Sequence, residues 1–244
     1  MTAAIWAALE ATWPAAETAR VGPWLLRRGL GGGKRVSAAS AAGQWLPDHI
    51  SLAETAMKAW GQTSLFVLRG PEDPLDAVLG DRGYRLVDPV AIYAGDAGRL
   101  AEPAPEPLTS FAHWPGLRVT DVIWDAAGIG LARRAVMARV AGPKAVLLGR
   151  HGDRVAGVAF VSALGNVAMI HALEVAPDQR RRGVGRNLMR AAGVWAQAQG
   201  AATLALAVTD ANLPARALYA SLGMRAVEHY HYRAKDIDAG KHAR

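Results

Sequence analysis

From Val167 the chain runs Val-Ala-Met-Ile-His-Ala-Leu-Glu-Val, apolar and short enough for a largely buried strand, and Ala176-Pro177-Asp178 ends it because proline cannot donate to a ladder. Beyond a loop, Val184, Leu188, Ala191, Ala192 and Trp195 recur at helical spacing, with Arg186, Arg190 and Gln197 on other faces, until Gly200 closes the helix. Thr203 to Val208 alternates Leu204, Leu206 and Val208 with alanines, the pattern of a strand under a helix. Thr209-Asp210-Ala211-Asn212 then opens a short helix that ends near Leu222-Gly223. Upstream, Ala145 to Gly149 and Val155 to Val161 form a hairpin around His151-Gly152-Asp153-Arg154. Leu117 to Ile123 reads as a strand, and the region from Ala126 to Ala141 as one or two helices. Neither period holds from Gly95 to Pro115, where four prolines accumulate, so this stretch reads as a linker.

Composition narrows the class. A chain of 244 residues with 51% hydrophobic content can bury a large core in one or two domains. No run of 18 apolar residues exists and the first residues lack a charged segment before an apolar one, so the expectation is no membrane span, no export and a cytoplasmic location. Cysteine is absent, which excludes disulfides, thiolate metal sites and a cysteine nucleophile. The net charge of +7 is uneven: residues 1–115 hold 10 Lys/Arg against 12 Asp/Glu, residues 116–244 hold 18 against 9. A basic second half favours a polyanionic ligand. No nucleic-acid motif accompanies the arginines, so nucleic acid is not the expected partner.

The basic excess includes Arg180-Arg181-Arg182-Gly183-Val184-Gly185, which joins the strand ending at Val175 to the helix beginning at Gly183. Glycines let successive N–H groups converge, and a helix start adds unpaired donors, so strand, glycine loop and helix make a candidate phosphate cradle. A dinucleotide fingerprint would need glycine where Leu188 stands, which demotes a Rossmann reading. Gly29-Leu30-Gly31-Gly32-Gly33-Lys34 mimics a nucleotide loop, but Arg28 replaces its first glycine and Arg35 its Ser or Thr, so it reads as a turn between strands. No Gly-x-Ser-x-Gly elbow is present. His229 and His231 share a strand face without an evident third ligand, and no metal site is expected.

Taken with Leu173-Glu174-Val175-Ala176-Pro177 and with Asn212-Leu213-Pro214-Ala215-Arg216-Ala217-Leu218-Tyr219-Ala220-Ser221-Leu222-Gly223-Met224, the loop closely resembles the acetyl-CoA site of GNAT-superfamily N-acetyltransferases. The resemblance spans roughly residues 117 to 233. It implies an α/β (α+β) fold with a mixed, mostly antiparallel sheet flanked by helices, preceded by a smaller α/β half-domain. The implied layout is an N-terminal domain over 1–100, a linker over 101–116, a catalytic domain over 117–235 and a tail over 236–244. It further implies that Leu173, Glu174 and Val175 bind the pantetheine arm through their backbone. Arg180, Arg181, Arg182, Gly183, Val184, Gly185 and Arg186 would hold the pyrophosphate of coenzyme A, and Asn212 would contact the arm while capping its helix. Tyr219 matches the general acid. Ile170-His171-Ala172-Leu173 resembles a stretch of arylalkylamine N-acetyltransferases in which the histidine deprotonates the amine through water, which makes His171 the candidate base. Those enzymes carry a second histidine where this chain has Met169, and a hydrogen-bonded structural histidine is the alternative. By alternation Met169, His171, Leu173 and Val175 share one face and Glu174 the other. The implied partners are acetyl-CoA and a small-molecule or peptide amine, with Trp124 in the acceptor wall; a homodimer is allowed. A module that senses acyl-CoA or docks a partner without turnover is the rival.

Residues 63 to 93 align without a gap on 203 to 233, pairing Pro74 with Pro214, Ala77 with Ala217, Gly83 with Gly223 and Arg85 with Arg225. Leu79 stands where Tyr219 does, and no arginines precede Gly43, the counterpart of Gly183. The first half therefore reads as a degenerate copy without a phosphate loop or acid, with chance similarity between two αβ units as the alternative.

Overall fold

The computed structural model describes residues 2–70 and 73–235; the tail expected over 236–244 lies outside them. In chain order the elements are α1 (Thr2–Ala11), β1 (Glu17–Val21), β2 (Trp24–Arg28), β3 (Ser40–Ala41), α2 (Ile50–Ala59), β4 (Leu65–Arg69), α3 (Pro74–Asp81), β5 (Arg85–Asp96), α4 (Ala97–Leu100), β6 (Ser110–His113), α5 (Arg118–Ala126), α6 (Leu131–Arg139), β7 (Lys144–His151), β8 (Arg154–Leu164), β9 (Val167–Val175), α7 (Val184–Ala198), β10 (Thr203–Thr209), α8 (Leu213–Ser221) and β11 (Arg225–Ala234). The mixed α/β class and the mostly antiparallel sheet match the expectation.

The described residues form two compact units, each discontinuous in sequence: residues up to 14 with 91–228, and residues between 15 and 90 with those from 229 onward. These divisions do not follow the boundaries read from the sequence, because β5 and β11 each contribute to both units. The second half of β11 pairs with β4, Tyr230 opposite Arg69 through Ala234 opposite Leu65. A contiguous domain boundary cannot express such an exchange of strands.

In the larger unit the strands follow the order β5-β10-β9-β8-β7-β6, with β10 parallel to β9 and the pairs from β9 to β6 antiparallel. Helices α7 and α4 cover one face, over a core that includes Leu147, Val161, Ile170, Leu188 and Leu204. Helices α1 and α5 pack against β8 and β9. A Cβ on Gly193 of α7 would lie 2.7 Å from the Ala101 nitrogen and 2.8 Å from the Ala97 oxygen, so this crossing admits only glycine.

Two expectations change here. Leu117 to Ile123 is not a strand: α5 occupies 118–126, burying Thr120 and Trp124 one turn apart while Val119 and Val122 stay exposed. Its β-branched residues suggest a strand, but burial of the Trp124 face decides. The proline-rich 101–116 segment is not featureless either, since β6 pairs with β7 from Ser110 opposite Gly149 to His113 opposite Val146. As an edge strand with half-exposed side chains it shows no alternation.

The smaller unit joins the sheet β1-β2-β3 to α2, α3, β4 and the end of β11. Its core centres on Trp24, Phe66 and Tyr84. Asp76 of α3 receives both Arg233 Nε and Nη2 at 2.8 Å and sits 2.6 Å from His231 Nε2, which anchors β11 to α3. These donors hold the Asp76 carboxyl down to about 2. The aligned segments share local geometry: helices α3 and α8 both carry proline in the first turn, and both end at a left-handed glycine, Gly83 at φ 80° and Gly223 at φ 78°.

Candidate functional site

The site is built around a break in β9. Phe160 pairs with His171 and Val158 with Glu174, so two steps along β8 face three along β9. The extra residue is a β-bulge, with Ala172 at φ +49°. Its carbonyl, turned out of the ladder, accepts a 2.8 Å hydrogen bond from Nε1 of buried Trp124. The bulge also changes the alternation. Leu173 and Val175 pack against the core under α7, whereas Glu174 falls on the face of His171, because Val158 and Phe160 are two apart on β8. The sequence expectation for Glu174 is thereby corrected.

Beyond the bulge β9 also parts from β10. Their parallel register ends at Met169 opposite Ala205, although β9 continues to Val175 and β10 to Thr209. Among the described residues, the β10-facing edge of Leu173, Glu174 and Val175 thus has no ladder partner. Arg180 Nε donates to the Val175 carbonyl at 3.3 Å.

This edge leads into the loop. A short 3-10 turn, Pro177–Gln179, is followed by exposed Arg180, Arg181 and Arg182. Arg181 at φ +64° and Gly183 at φ +82° are left-handed, which turns the chain into α7. Gly183 brings no capping side chain and the first turn of α7 has no acid, so the first N–H groups of the helix, starting with Val184 and Gly185, lack an intrahelical partner and lie beside a run of arginines. Such a helix start can hold an anion such as phosphate. Gly185 makes room for α8: a Cβ there would meet Leu218 Cδ2 at 3.2 Å. Arg186 Nη2 donates to Ser221 Oγ at 3.0 Å, also toward α8. Asn212 caps that helix by accepting from Ala215 N at 3.2 Å.

Tyr219 of α8 is buried at 6% exposure, its ring 5.8 Å from that of Tyr93. Burial, reinforced by the Glu174 charge, pushes its phenol up to about 12, so it stays protonated at neutral pH. Burial likewise pushes the Glu174 carboxyl up, against the opposing pull of Arg180 and Arg133.

His171 is 6% exposed, its ring tilted against Trp13 at 5.0 Å and stacked on Phe160 at 6.2 Å. Thr12 at the end of α1 points its hydroxyl proton at the Ala8 carbonyl, 2.6 Å away, so Thr12 Oγ1 accepts from His171 Nε2 at 2.8 Å. Sequence reasoning did not find Thr12 or Trp13; they lie more than 150 positions from His171 and carry no motif. His231, considered for a metal, is engaged with Asp76.

Residues 116–224 match the Acetyltransferase (GNAT) family. The chain is 24% identical over 234 residues to the uncharacterized N-acetyltransferase YobR of Bacillus subtilis, covering 92% of this chain and 95% of that protein. It is 44% identical over 80 residues to the streptothricin acetyltransferase of Streptomyces lavendulae, which covers 32% of this chain and 42% of that enzyme. Among solved structures, a GCN5-related N-acetyltransferase from Kribbella flavida superposes with TM-score 0.72 at 19% identity, covering 95% and 94% of the two chains. A tandem GNAT protein from the clavulanic acid biosynthesis pathway does so with TM-score 0.61 at 15% identity, covering 91% and 84%. No helix among the described residues is long and apolar enough to cross a membrane. Residues 116–224 are a GNAT acetyltransferase domain, and the protein is an acyltransferase.

Proposed function

We propose that the protein transfers an acetyl group from acetyl-CoA to a primary amine. The observation that carries this reading is the open edge of β9 running directly into an uncapped helix start. An extended amide-bearing arm fits the first, and a pyrophosphate fits the second. When bound, acetyl-CoA supplies an activated acyl carbonyl and a thiolate leaving group.

The backbone of Leu173, Glu174 and Val175 would hold the arm, and an N–H of this edge would stabilise charge on the acyl oxygen. The amides of Val184, Gly185 and Arg186 would bind pyrophosphate, with Arg180, Arg181 and Arg182 adding charge. Asn212 would contact the arm while keeping its capping bond. Tyr219 holds its proton throughout the neutral range and would donate to the departing sulfur. His171 would take the amine proton through water, with its ring held at Nε2 by Thr12. The first half of the chain is a degenerate relative of the second, supported by the matching turns at Gly83 and Gly223.

The test is release of free coenzyme A, followed with a thiol reagent over a panel of amines and peptides. Amine-dependent release is expected, and Tyr219→Phe should slow it by roughly 10²–10⁴-fold while leaving acetyl-CoA affinity intact. Acetyl-CoA binding with no amine-dependent thiol from any acceptor would refute catalysis in favour of a sensor.

A further inference from the structure

The bulge places a carboxylate where the alternating pattern hides one. His171 and Glu174 lie on the same face of the sheet, opposite Phe160 and Val158, with the displaced residues Ala172 and Leu173 between them. That face carries α5, and Arg133 of α6 lies near enough to act on the Glu174 charge. Arg180 from the loop and Tyr219 from α8 also lie within electrostatic reach. None of them satisfies it. Among the described residues, Glu174 makes no side-chain hydrogen bond or ion pair, and Arg133 and Arg180 are both exposed. A half-buried carboxylate without a partner is unfavourable unless something arrives to pair with it.

We infer that Glu174 is the ammonium-binding group of the acceptor site, so that the acceptor docks as a cationic primary amine. The carboxylate belongs to the strand edge that would carry the thioester, so an ammonium held by it waits within one or two residues of the reacting carbonyl. His171, three residues away on the same face, lies on the side from which the proton must leave. The inference rests on the acetyl-transfer reading only for the position of the thioester.

The test is a binding comparison that needs no turnover. Coenzyme A-loaded protein is titrated at pH 7 with n-butylammonium and with its neutral isostere n-butanol, followed by NMR, in wild type, Glu174→Gln and Glu174→Asp. Wild type should bind the ammonium at least about tenfold more tightly than the alcohol, the range expected for a charged hydrogen bond. Glu174→Gln should abolish the preference and Glu174→Asp should retain part of it. No preference in wild type, or an undiminished preference in Glu174→Gln, would overturn the inference. Loss of acetyl-CoA binding in wild type would instead defeat the acetyl-transfer reading, and the same titration on ligand-free protein would still decide the role of Glu174.

Discussion

Replacing Trp124 by phenylalanine isolates the contact that holds the bulge. The indole Nε1 donates at 2.8 Å to the Ala172 carbonyl, and Trp124 is only 1% exposed. Removing the donor leaves a buried carbonyl unpaired, which costs about 1–3 kcal/mol. The smaller ring adds a void worth on the order of 1 kcal/mol. The left-handed Ala172 costs about 1 kcal/mol more than a regular strand conformation, and the variant no longer offsets that strain. Relaxing the bulge limits the total loss, so about 2–4 kcal/mol is expected overall. In a chain of this size each kcal/mol shifts Tm by about 2–4 °C.

The same substitution has a functional consequence. If β9 relaxes toward regular alternation, Leu173 turns away from the α7 core and Glu174 away from the face of His171. Trp124→Phe should then weaken acetyl-CoA binding, measured by calorimetry, as well as lower Tm. A loss of stability with unchanged acetyl-CoA affinity would show that Trp124 only fills space. A variant within about 0.5 kcal/mol of wild type with intact binding would refute the whole argument.

At Gly193, alanine would gain about 1 kcal/mol of helix propensity in isolation, but its Cβ would lie 2.7 Å from backbone that cannot move aside, so Gly193→Ala should lower stability by about 1–3 kcal/mol. A rise in Tm would count against the tight α4–α7 crossing. Asp76, held near 2 chiefly by its hydrogen bonds to Arg233, ionises at lower pH in the folded chain than in the unfolded one. Its stabilisation, about 2 kcal/mol, is therefore complete above about pH 4 and lost as pH falls through 2. Urea melts of wild type and Asp76→Asn should converge toward the acid end of that window, and parallel curves would refute the pairing with Arg233.

Much of the fold is legible wherever one element carries its own period. Val184, Leu188 and Ala192 announce α7, and Leu204, Leu206 and Val208 announce β10, because each buries one face along its own length. The candidate phosphate loop is equally local: two glycines, a helix start and a basic run lie within seven residues. What escapes is whatever a distant segment decides. Leu117 to Ile123 becomes helical because Trp124 has a carbonyl to reach on β9, and β6 is a strand because β7 offers it an edge. Thr12 meets His171 across 159 positions, a contact that no window of sequence contains.

The bulge is the sharpest case of that limit. A period-two reading of Val167 to Val175 has no means of inserting a residue, so every position after the insertion is assigned to the wrong face. Alanine at 172 gives no warning, since glycine or asparagine would be the usual marker of a left-handed residue. Only the donor on Trp124 makes that conformation tolerable, and the donor lies on another element, 48 residues away. The two ionisable side chains of β9 are thereby brought to one face by a hydrogen bond that neither of them makes. The chemistry assigned to His171 and Glu174 thus depends on a residue that touches neither, and mutating either carboxylate or imidazole alone would leave that dependence unseen.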